Sequence, residues 1–203
     1  MSASSSQHQT GQDQADLARA AAKKIKLLLL DVDGVLSDGR IFFSANGDEL
    51  KAFSTLDGHG IKLLQKSGVH VGVITGRQSS LTERRCRDLG IKYLKQARED
   101  KWAALAELRK DHSALAPISN SEIAFVGDDY PDLLVMTKIG LPCSVPNAVP
   151  PVKERALYIT SRAGGEGAVR EVCDFIMMEQ NSFDEALARY TNGLTDQKRG
   201  NNP

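Results

Sequence analysis

The sequence predicts an α/β fold with a doubly wound, mainly parallel sheet, and three observations support this prediction. Short apolar runs alternate with stretches of helical periodicity, which is typical of βαβ units. The length of 203 residues suits one domain whose core folds without disulfide bonds. The segment 39–53 breaks the alternation, because Asn46-Gly47 lies between two β-prone runs. That arrangement predicts a β-hairpin after the first strand.

A short leading helix at 15–24 is expected first, and strands and helices then alternate along the chain. The apolar runs that predict strands are 26–30, 69–74, 93–94, 123–126, 141–145 and 158–159. The stretches that predict helices are 60–66, 79–89, 100–111, 132–138, 150–156 and 168–179.

The chain divides into three parts. Residues 1–14 are rich in Ser and Gln and nearly free of large apolar side chains, so we expect a disordered tail. Residues 15–180 contain the alternating pattern and form the predicted catalytic domain. Residues 181–203 are a C-terminal extension that we expect to be partly helical and then flexible.

Composition excludes several classes of protein. The 26 Lys and Arg residues balance 26 Asp and Glu residues, which argues against a nucleic-acid partner. The longest apolar run, 25–30, is far shorter than the roughly 18 residues that a membrane span needs. Three cysteines without CxxC spacing indicate reduced thiols, so we expect a cytoplasmic protein.

Polar and charged residues follow the predicted strands at their carboxyl ends. Asp31 and Asp33 follow the first strand, Thr75 the second and Asp128 the fourth, and Lys101 begins the helix after the third. The carboxyl ends of parallel strands share one edge, where ligands bind. Carboxylates gathered there need a cation, and Mg²⁺ prefers oxygen ligands. Taken alone, Asp31-Val32-Asp33-Gly34 also fits a strand-to-helix turn in which Asp33 caps backbone amides.

The residue types at this edge fit the hydrolysis of a phosphate monoester. Asp31 is placed to attack phosphorus and form an aspartyl-phosphate. Asp33, two residues later, can protonate the leaving alcohol and then deprotonate the attacking water. Thr75 and Lys101 would hold the transferring oxygens, and Asp128 would complete the metal site.

The segments LLLLDVDGVL, VITG, Lys101 and VGDDYPD resemble, in order, the four motifs of the haloacid-dehalogenase (HAD) superfamily of phosphohydrolases. The resemblance implies a Rossmann-like HAD sheet with Asp31 as nucleophile and Asp33 as acid and base. It also implies that Mg²⁺ is bound by Asp31, by the backbone carbonyl of Asp33 and by Asp128, with Asp129 and Asp132 as nearby support.

The spacing of these motifs leaves no room for a cap domain. Only 43 residues separate Asp31 from Thr75, and 25 separate Thr75 from Lys101. An open site excludes water poorly and grips a small substrate poorly. We therefore expect a neighbouring subunit to supply the missing wall, through contacts between hairpins.

Within the superfamily, ELKAFSTLDGHGIKLL, RCRDLGI and RAGGEGAVREVCD resemble the capless, tetrameric phosphatases that hydrolyse 3-deoxy-D-manno-octulosonate 8-phosphate in lipopolysaccharide precursor synthesis. The resemblance implies a homotetramer that acts on a small anionic sugar acid phosphate. The residues it implies for substrate binding are Asp33, Ser54, Thr55, Leu56, Asp57, Gly58, Lys62, Arg77, Arg85 and Lys101.

Three alternatives remain open at this point. The substrate could be another sugar acid phosphate, such as a nonulosonate 9-phosphate, because few pocket contacts separate the two. The chain could also be a non-catalytic HAD-type interaction domain or a phospho-acceptor signalling domain. The intact acids and Lys101 disfavour a non-catalytic interaction domain, and the two acids on one strand disfavour a phospho-acceptor domain.

The glycine-rich segment 162–170 fits a phosphate-binding loop and a flexible loop equally well.

Overall fold

A computed structural model describes residues 3–192, with side chains from residue 12 onward. The strands are β1 (Leu27–Leu30), β2 (Phe42–Phe43), β3 (Glu49–Leu50), β4 (His70–Ile74), β5 (Tyr93–Lys95), β6 (Ile123–Gly127), β7 (Leu141–Ser144) and β8 (Tyr158–Ile159). The α-helices are α1 (Ala3–Ala22), α2 (Thr55–Lys66), α3 (Ser80–Leu89), α4 (Lys101–Asp111), α5 (Leu133–Met136), α6 (Pro150–Lys153), α7 (Ala168–Glu179) and α8 (Phe183–Thr191).

Six strands form a parallel sheet in the order β5-β4-β1-β6-β7-β8. The central strand β1 consists of four leucines that are all buried, as expected for a strand covered on both faces. Leu30 pairs with Val73 on one side and with Val126 on the other, so β1, β4 and β6 end level with one another. The predicted α/β fold class with a mainly parallel sheet is confirmed.

The hairpin stands apart from this sheet. Its strands β2 and β3 pair antiparallel, with Phe42 opposite Leu50 and Phe43 opposite Glu49. The 43 residues between Asp31 and Thr75 hold this hairpin and helix α2.

Helix α2 begins five residues earlier than the periodicity predicts, at Thr55 rather than at residue 60. Gly58 and Gly60 lower the helix propensity of this segment, so sequence periodicity alone misses its first turn. Packing against α7 overrides that preference, because a Cβ added to Gly60 would lie 2.7 Å from the Arg170 side chain. Gly60 therefore allows α2 and α7 to approach closely, and Gly58 gives the same room to Arg85 of α3, whose Nη2 would lie 2.4 Å from an added Cβ.

The N-terminal segment differs from the predicted disordered tail at 1–14. Helix α1 already begins at Ala3, and its last turns bury Ala18 and Ala22 against the core. Once packing has fixed those turns, adding further helical residues costs little, since helix propagation is much easier than nucleation. Residues 1 and 2 lie outside the described residues.

The C-terminal extension contains helix α8, which begins at Phe183. Helix α8 lies near α2, where the Tyr190 and His59 rings form a T-shaped pair with their centroids 5.4 Å apart. The part predicted to be flexible, from residue 193 onward, lies outside the described residues. Within residues 3–192, the helices are too short or too polar to cross a membrane.

The glycine-rich segment packs against the loop that follows β1. The Gly164 amide donates to Asn147 Oδ1 at 2.9 Å, and Asn147 Nδ2 donates to the Gly34 carbonyl at 3.2 Å. The Gly165 amide donates to the Val35 carbonyl at 2.9 Å. The amides of Gly164 and Gly165 therefore already donate to protein oxygens. This favours neither a phosphate-binding loop nor a flexible loop at this point of the segment.

This packing predicts that Gly164→Ala destabilises the fold. A Cβ at residue 164 would lie 1.7 Å from the Gly34 carbonyl oxygen, a backbone atom that cannot move alone. We expect the free energy of unfolding, measured by urea denaturation, to fall by about 3 kcal/mol. The control Gly47→Ala meets nothing within 4 Å and carries only the strain of its positive φ, which costs about 1 kcal/mol. Equal losses in the two variants would contradict the packing argument.

Candidate active site

A cleft of about 390 Å³ opens at the carboxyl edge of β1, β4 and β6. Six residues that the sequence singled out line this one cleft, and they are Asp31, Asp33, Thr75, Arg77, Lys101 and Asp128. The level ends of the three central strands bring them together.

Lys101 connects two carboxylates at the floor of the cleft. Its ammonium donates to Asp31 Oδ2 at 2.8 Å and also to Asp132 Oδ1. The Lys101 and Asp132 side chains are almost fully buried, so the three charges hold one another where water cannot screen them. Asp31 Oδ1 accepts from the Val32 amide at 2.7 Å, which fixes the other end of that carboxylate.

Asp132 supports the site from behind. Its Oδ2 accepts from the amides of Asp128 at 2.8 Å and of Asp129 at 3.2 Å, and so shapes the loop after β6. The sequence indicated Asp132 only as nearby support, because a residue one turn beyond a strand end could equally face solvent. Its contact with Lys101 makes it part of the charge network.

A divalent cation fits between the carboxylates at the cleft. Oxygens of Asp31, Asp128 and Asp132 lie within 4.8 Å of one another. Both oxygens of Asp132 already accept hydrogen bonds, whereas Asp128 Oδ1 is buried without a partner among the described residues. Asp128 therefore offers a metal an oxygen with no other partner, and Asp31 lines the same cleft, whereas Asp132 does not. Asp31 and Asp128 are two of the three predicted ligands, the third being the backbone carbonyl of Asp33, and the ligand set stays a prediction.

The pKa values of the charged side chains in the cleft also indicate that the site lacks positive charge. Burial, with the neighbouring carboxylates of Asp31 and Asp132, raises the pKa of Asp128 to about 8. Burial also raises the pKa of Asp31 to about 6, although Lys101 opposes that rise. The pKa of Lys101 is raised because Asp31 and Asp132 together outweigh the opposing effect of burial. Lys101 is thus held as a permanent cation.

Gly34 is required for the approach of Asp128. Its φ is +90°, and a Cβ there would lie 1.9 Å from Asp128 Oδ2. Any side chain at this position would push the Asp128 carboxylate out of place.

Asp33 has a partner that the sequence analysis missed. Lys51 Nζ, from the end of the hairpin, lies 2.6 Å from Asp33 Oδ1 and 3.8 Å from Glu49 Oε1. Arg77 approaches the same pair, with Nε 4.0 Å from Asp33 Oδ2 and Nη2 3.9 Å from Glu49 Oε2. Spacing gives no signal for Lys51 or Glu49, because the folding of a hairpin back over a strand end is a tertiary feature.

Seven residues predicted to bind substrate are absent from the lining of this cleft, and they are Ser54, Thr55, Leu56, Asp57, Gly58, Lys62 and Arg85. They lie at α2 and α3, where Thr55, Leu56 and Lys62 are exposed. Their contacts with substrate stay a prediction.

Two of those seven make contacts within the fold. Asp57 is buried and its Oδ1 accepts from the Arg170 amide at 2.8 Å, at the start of α7. Burial raises the pKa of Asp57, and backbone amides of α7 partly offset that rise. Arg85 donates to the Ser54 carbonyl at 2.8 Å and lies over the Phe53 ring at 5.7 Å. Both side chains therefore hold the beginning of α2 in place.

The parallel sheet and the acidic cleft at its carboxyl edge define a hydrolase of the HAD class. A HAD superfamily hydrolase of subfamily III A from Legionella pneumophila matches with a TM-score of 0.83 and 41% identity, over 90% of this chain and 98% of that one. No family model matches the sequence.

Two further comparisons identify the family within the HAD superfamily to which this chain belongs. The 3-deoxy-D-manno-octulosonate 8-phosphate phosphatase KdsC of Escherichia coli K12 is 48% identical over 167 residues, which cover 82% of this chain and 87% of the relative. The Moraxella catarrhalis phosphatase of that name, in complex with magnesium, phosphate and KDO, matches with a TM-score of 0.81 and 43% identity, over 85% and 97% of the two chains. The chain belongs to the 3-deoxy-D-manno-octulosonate 8-phosphate phosphatase family.

The raised pKa of Asp128 predicts how stability depends on pH without metal. Folded Asp128 holds its proton up to about pH 8, whereas the unfolded group releases it near 3.8, so stability falls as pH rises between these values. Asp128→Asn removes this fall. We expect the metal-free variant at pH 8.5 to be more stable than the wild type by on the order of 5 kcal/mol, in urea denaturation with a chelator.

Two comparisons test the origin of that difference. At pH 4 the two proteins should be nearly equal in stability, because Asp128 is then protonated in the fold. Addition of Mg²⁺ at pH 8.5 should stabilise the wild type and leave the variant nearly unchanged. Parallel pH profiles for the two proteins would contradict the role of Asp128.

Proposed function

We propose that this protein hydrolyses 3-deoxy-D-manno-octulosonate 8-phosphate (KDO 8-phosphate) to the free sugar acid and phosphate. The reaction depends on Mg²⁺ and passes through an aspartyl-phosphate on Asp31, in lipopolysaccharide precursor synthesis as the family resemblance implies. The observation that supports this most strongly is the Asp31 carboxylate at the cleft floor, held at one oxygen by Lys101 and at the other by the Val32 amide.

The side chains of the cleft divide the chemistry between them. Asp31 attacks phosphorus, and the P–O bond to the sugar breaks as Asp33 gives its proton to the leaving oxygen. Asp33 then takes a proton from the water that attacks the aspartyl-phosphate, which releases phosphate and restores Asp31. Thr75 and Lys101 stabilise the oxygens of the transferring group.

Asp31, Asp128 and the backbone carbonyl of Asp33 are the groups that would hold Mg²⁺. When bound, the ion screens the negative charge of phosphate and carboxylates from one another. The buried and unpaired Asp128 Oδ1 supports this assignment.

Asp31→Asn tests the nucleophile. An amide oxygen cannot form the acyl phosphate, so we expect kcat/KM for KDO 8-phosphate to fall by about 10⁴-fold or more, measured as phosphate release with Mg²⁺. The control Asp88→Asn alters an exposed carboxylate 4.0 Å from Arg84 and should keep full activity. Unchanged turnover in Asp31→Asn would contradict the mechanism, and faster turnover of a nucleotide or a nonulosonate 9-phosphate by the wild type would contradict the substrate.

We also propose that four copies assemble as a homotetramer through their hairpins. The hairpin exposes Phe42 by 52%, Phe43 by 67% and Leu50 by 60%, on two strands that leave the main sheet. Aromatic and aliphatic side chains exposed together favour contact with another protein surface. Assembly would bring the exposed α2 residues Thr55 and Lys62 near a neighbour's cleft, which is where their predicted contacts with substrate belong.

Phe43→Asp tests this assembly. A charge in the middle of the apolar hairpin should yield monomers in light scattering, with kcat/KM for KDO 8-phosphate at least about 10-fold lower. The control Leu17→Asp alters a side chain on α1 that is exposed by 59%, and should leave the tetramer intact. A wild type that is monodisperse, monomeric and fully active would contradict the proposal.

A cytoplasmic location is proposed on the cysteines. Cys86, Cys143 and Cys173 are all buried and free in the fold. Buried thiols that form no disulfide are typical of a reducing compartment.

A further inference from the structure

Lys51 is a buried cation beside the active site. Its side chain has no exposed surface, whereas that of Asp33 is exposed by 22%. A buried ammonium is stable only with close negative partners. Lys51 meets this requirement with Asp33 Oδ1 at 2.6 Å and Glu49 Oε1 at 3.8 Å.

This contact makes the two oxygens of Asp33 different. An ammonium only donates, so Oδ1 serves as an acceptor for Lys51. Oδ2 accepts no hydrogen bond among the described residues, since Arg77 Nε is 4.0 Å away, and Asp33 lines the cleft. The transferable proton of Asp33 therefore belongs on Oδ2.

We propose that Lys51 is a positioning residue that holds Asp33 Oδ1, so that Oδ2 carries the proton to and from the reacting oxygens. This proposal rests on the proposed function. As the P–O bond of the substrate breaks, the proton on Oδ2 moves to the leaving oxygen. Oδ2 later takes one proton from the water whose oxygen attacks phosphorus.

Glu49 gives Lys51 a negative partner whether Asp33 is protonated or ionised. While Asp33 carries a proton and is neutral, Lys51 still has the Glu49 carboxylate 3.8 Å away. Glu49 Oε1 is itself buried without a hydrogen-bond partner among the described residues, so its charge is directed to Lys51. The hairpin thus brings the cation and its second counter-charge together.

The experiment compares two leaving groups in single-turnover measurements. KDO 8-phosphate releases an alkoxide that needs a proton, whereas p-nitrophenyl phosphate releases a phenolate that does not. In Lys51→Met we expect sugar release to slow by about 100-fold and p-nitrophenol release by less than about 5-fold. Lys51→Arg, which keeps the donor, should restore sugar release to within about 10-fold of the wild type. Asp33→Asn should show the same selectivity as Lys51→Met.

Lys95→Met is the matched control, because Lys95 also pairs with two carboxylates, Asp111 and Glu107, but on the outer surface. It should leave both rates unchanged. The ratio of the two rates within one preparation does not depend on the fraction of folded protein, so partial unfolding of Lys51→Met cannot imitate the result.

Equal slowing of both substrates, or no slowing of either, would overturn the role of Lys51. A wild type that fails to release phosphate from KDO 8-phosphate would overturn the proposed function instead. The leaving-group comparison would then be made with glycerol 3-phosphate, another alkyl phosphate, and the same two outcomes decide the role of Lys51.

Discussion

The charge balance around Lys101 is the interaction on which the rest of the site depends. Three carboxylates converge at the ends of β1 and β6, and two of them contact the same buried ammonium. Burial and the charges of the other two carboxylates raise the pKa of the third, Asp128, to about 8, and Lys101 offsets only part of that rise. Three carboxylates and one ammonium leave two negative charges without a partner, which is the charge that one divalent cation supplies. The same excess of negative charge that lowers the stability of the metal-free protein favours the binding of a divalent cation.

Much of this could be predicted from the sequence, for a physical reason. Asp31, Thr75 and Asp128 each follow a run of buried apolar residues, and parallel strands bring their carboxyl ends to one edge. Strand and helix positions follow from hydrophobic periodicity, which is a local property. The order of the motifs along the chain then identifies the HAD class.

The parts that could not be predicted depend on tertiary contacts. Lys51 reaches Asp33 because the hairpin returns to the loop after β1, and neither residue type nor spacing predicts that contact. Asp57 has a further contact of this kind: its carboxylate accepts from the Arg170 amide at the start of α7, while the substrate contact that the resemblance implies stays a prediction. The beginning of α1 was missed because a weakly apolar segment becomes helical by continuing turns that are already packed.

The contact of Gly164 with the Gly34 loop determines how late in folding the active-site loop becomes ordered. The loop that carries Asp33 is held by Asn147, Gly164 and Gly165, which lie more than a hundred positions later in the chain. Contacts between residues so far apart in sequence form late in folding, because closing the long loop between them costs entropy before the contact stabilises the fold. During synthesis the catalytic loop therefore stays unsupported until residue 165 has emerged, and phosphatase activity is acquired only after that point.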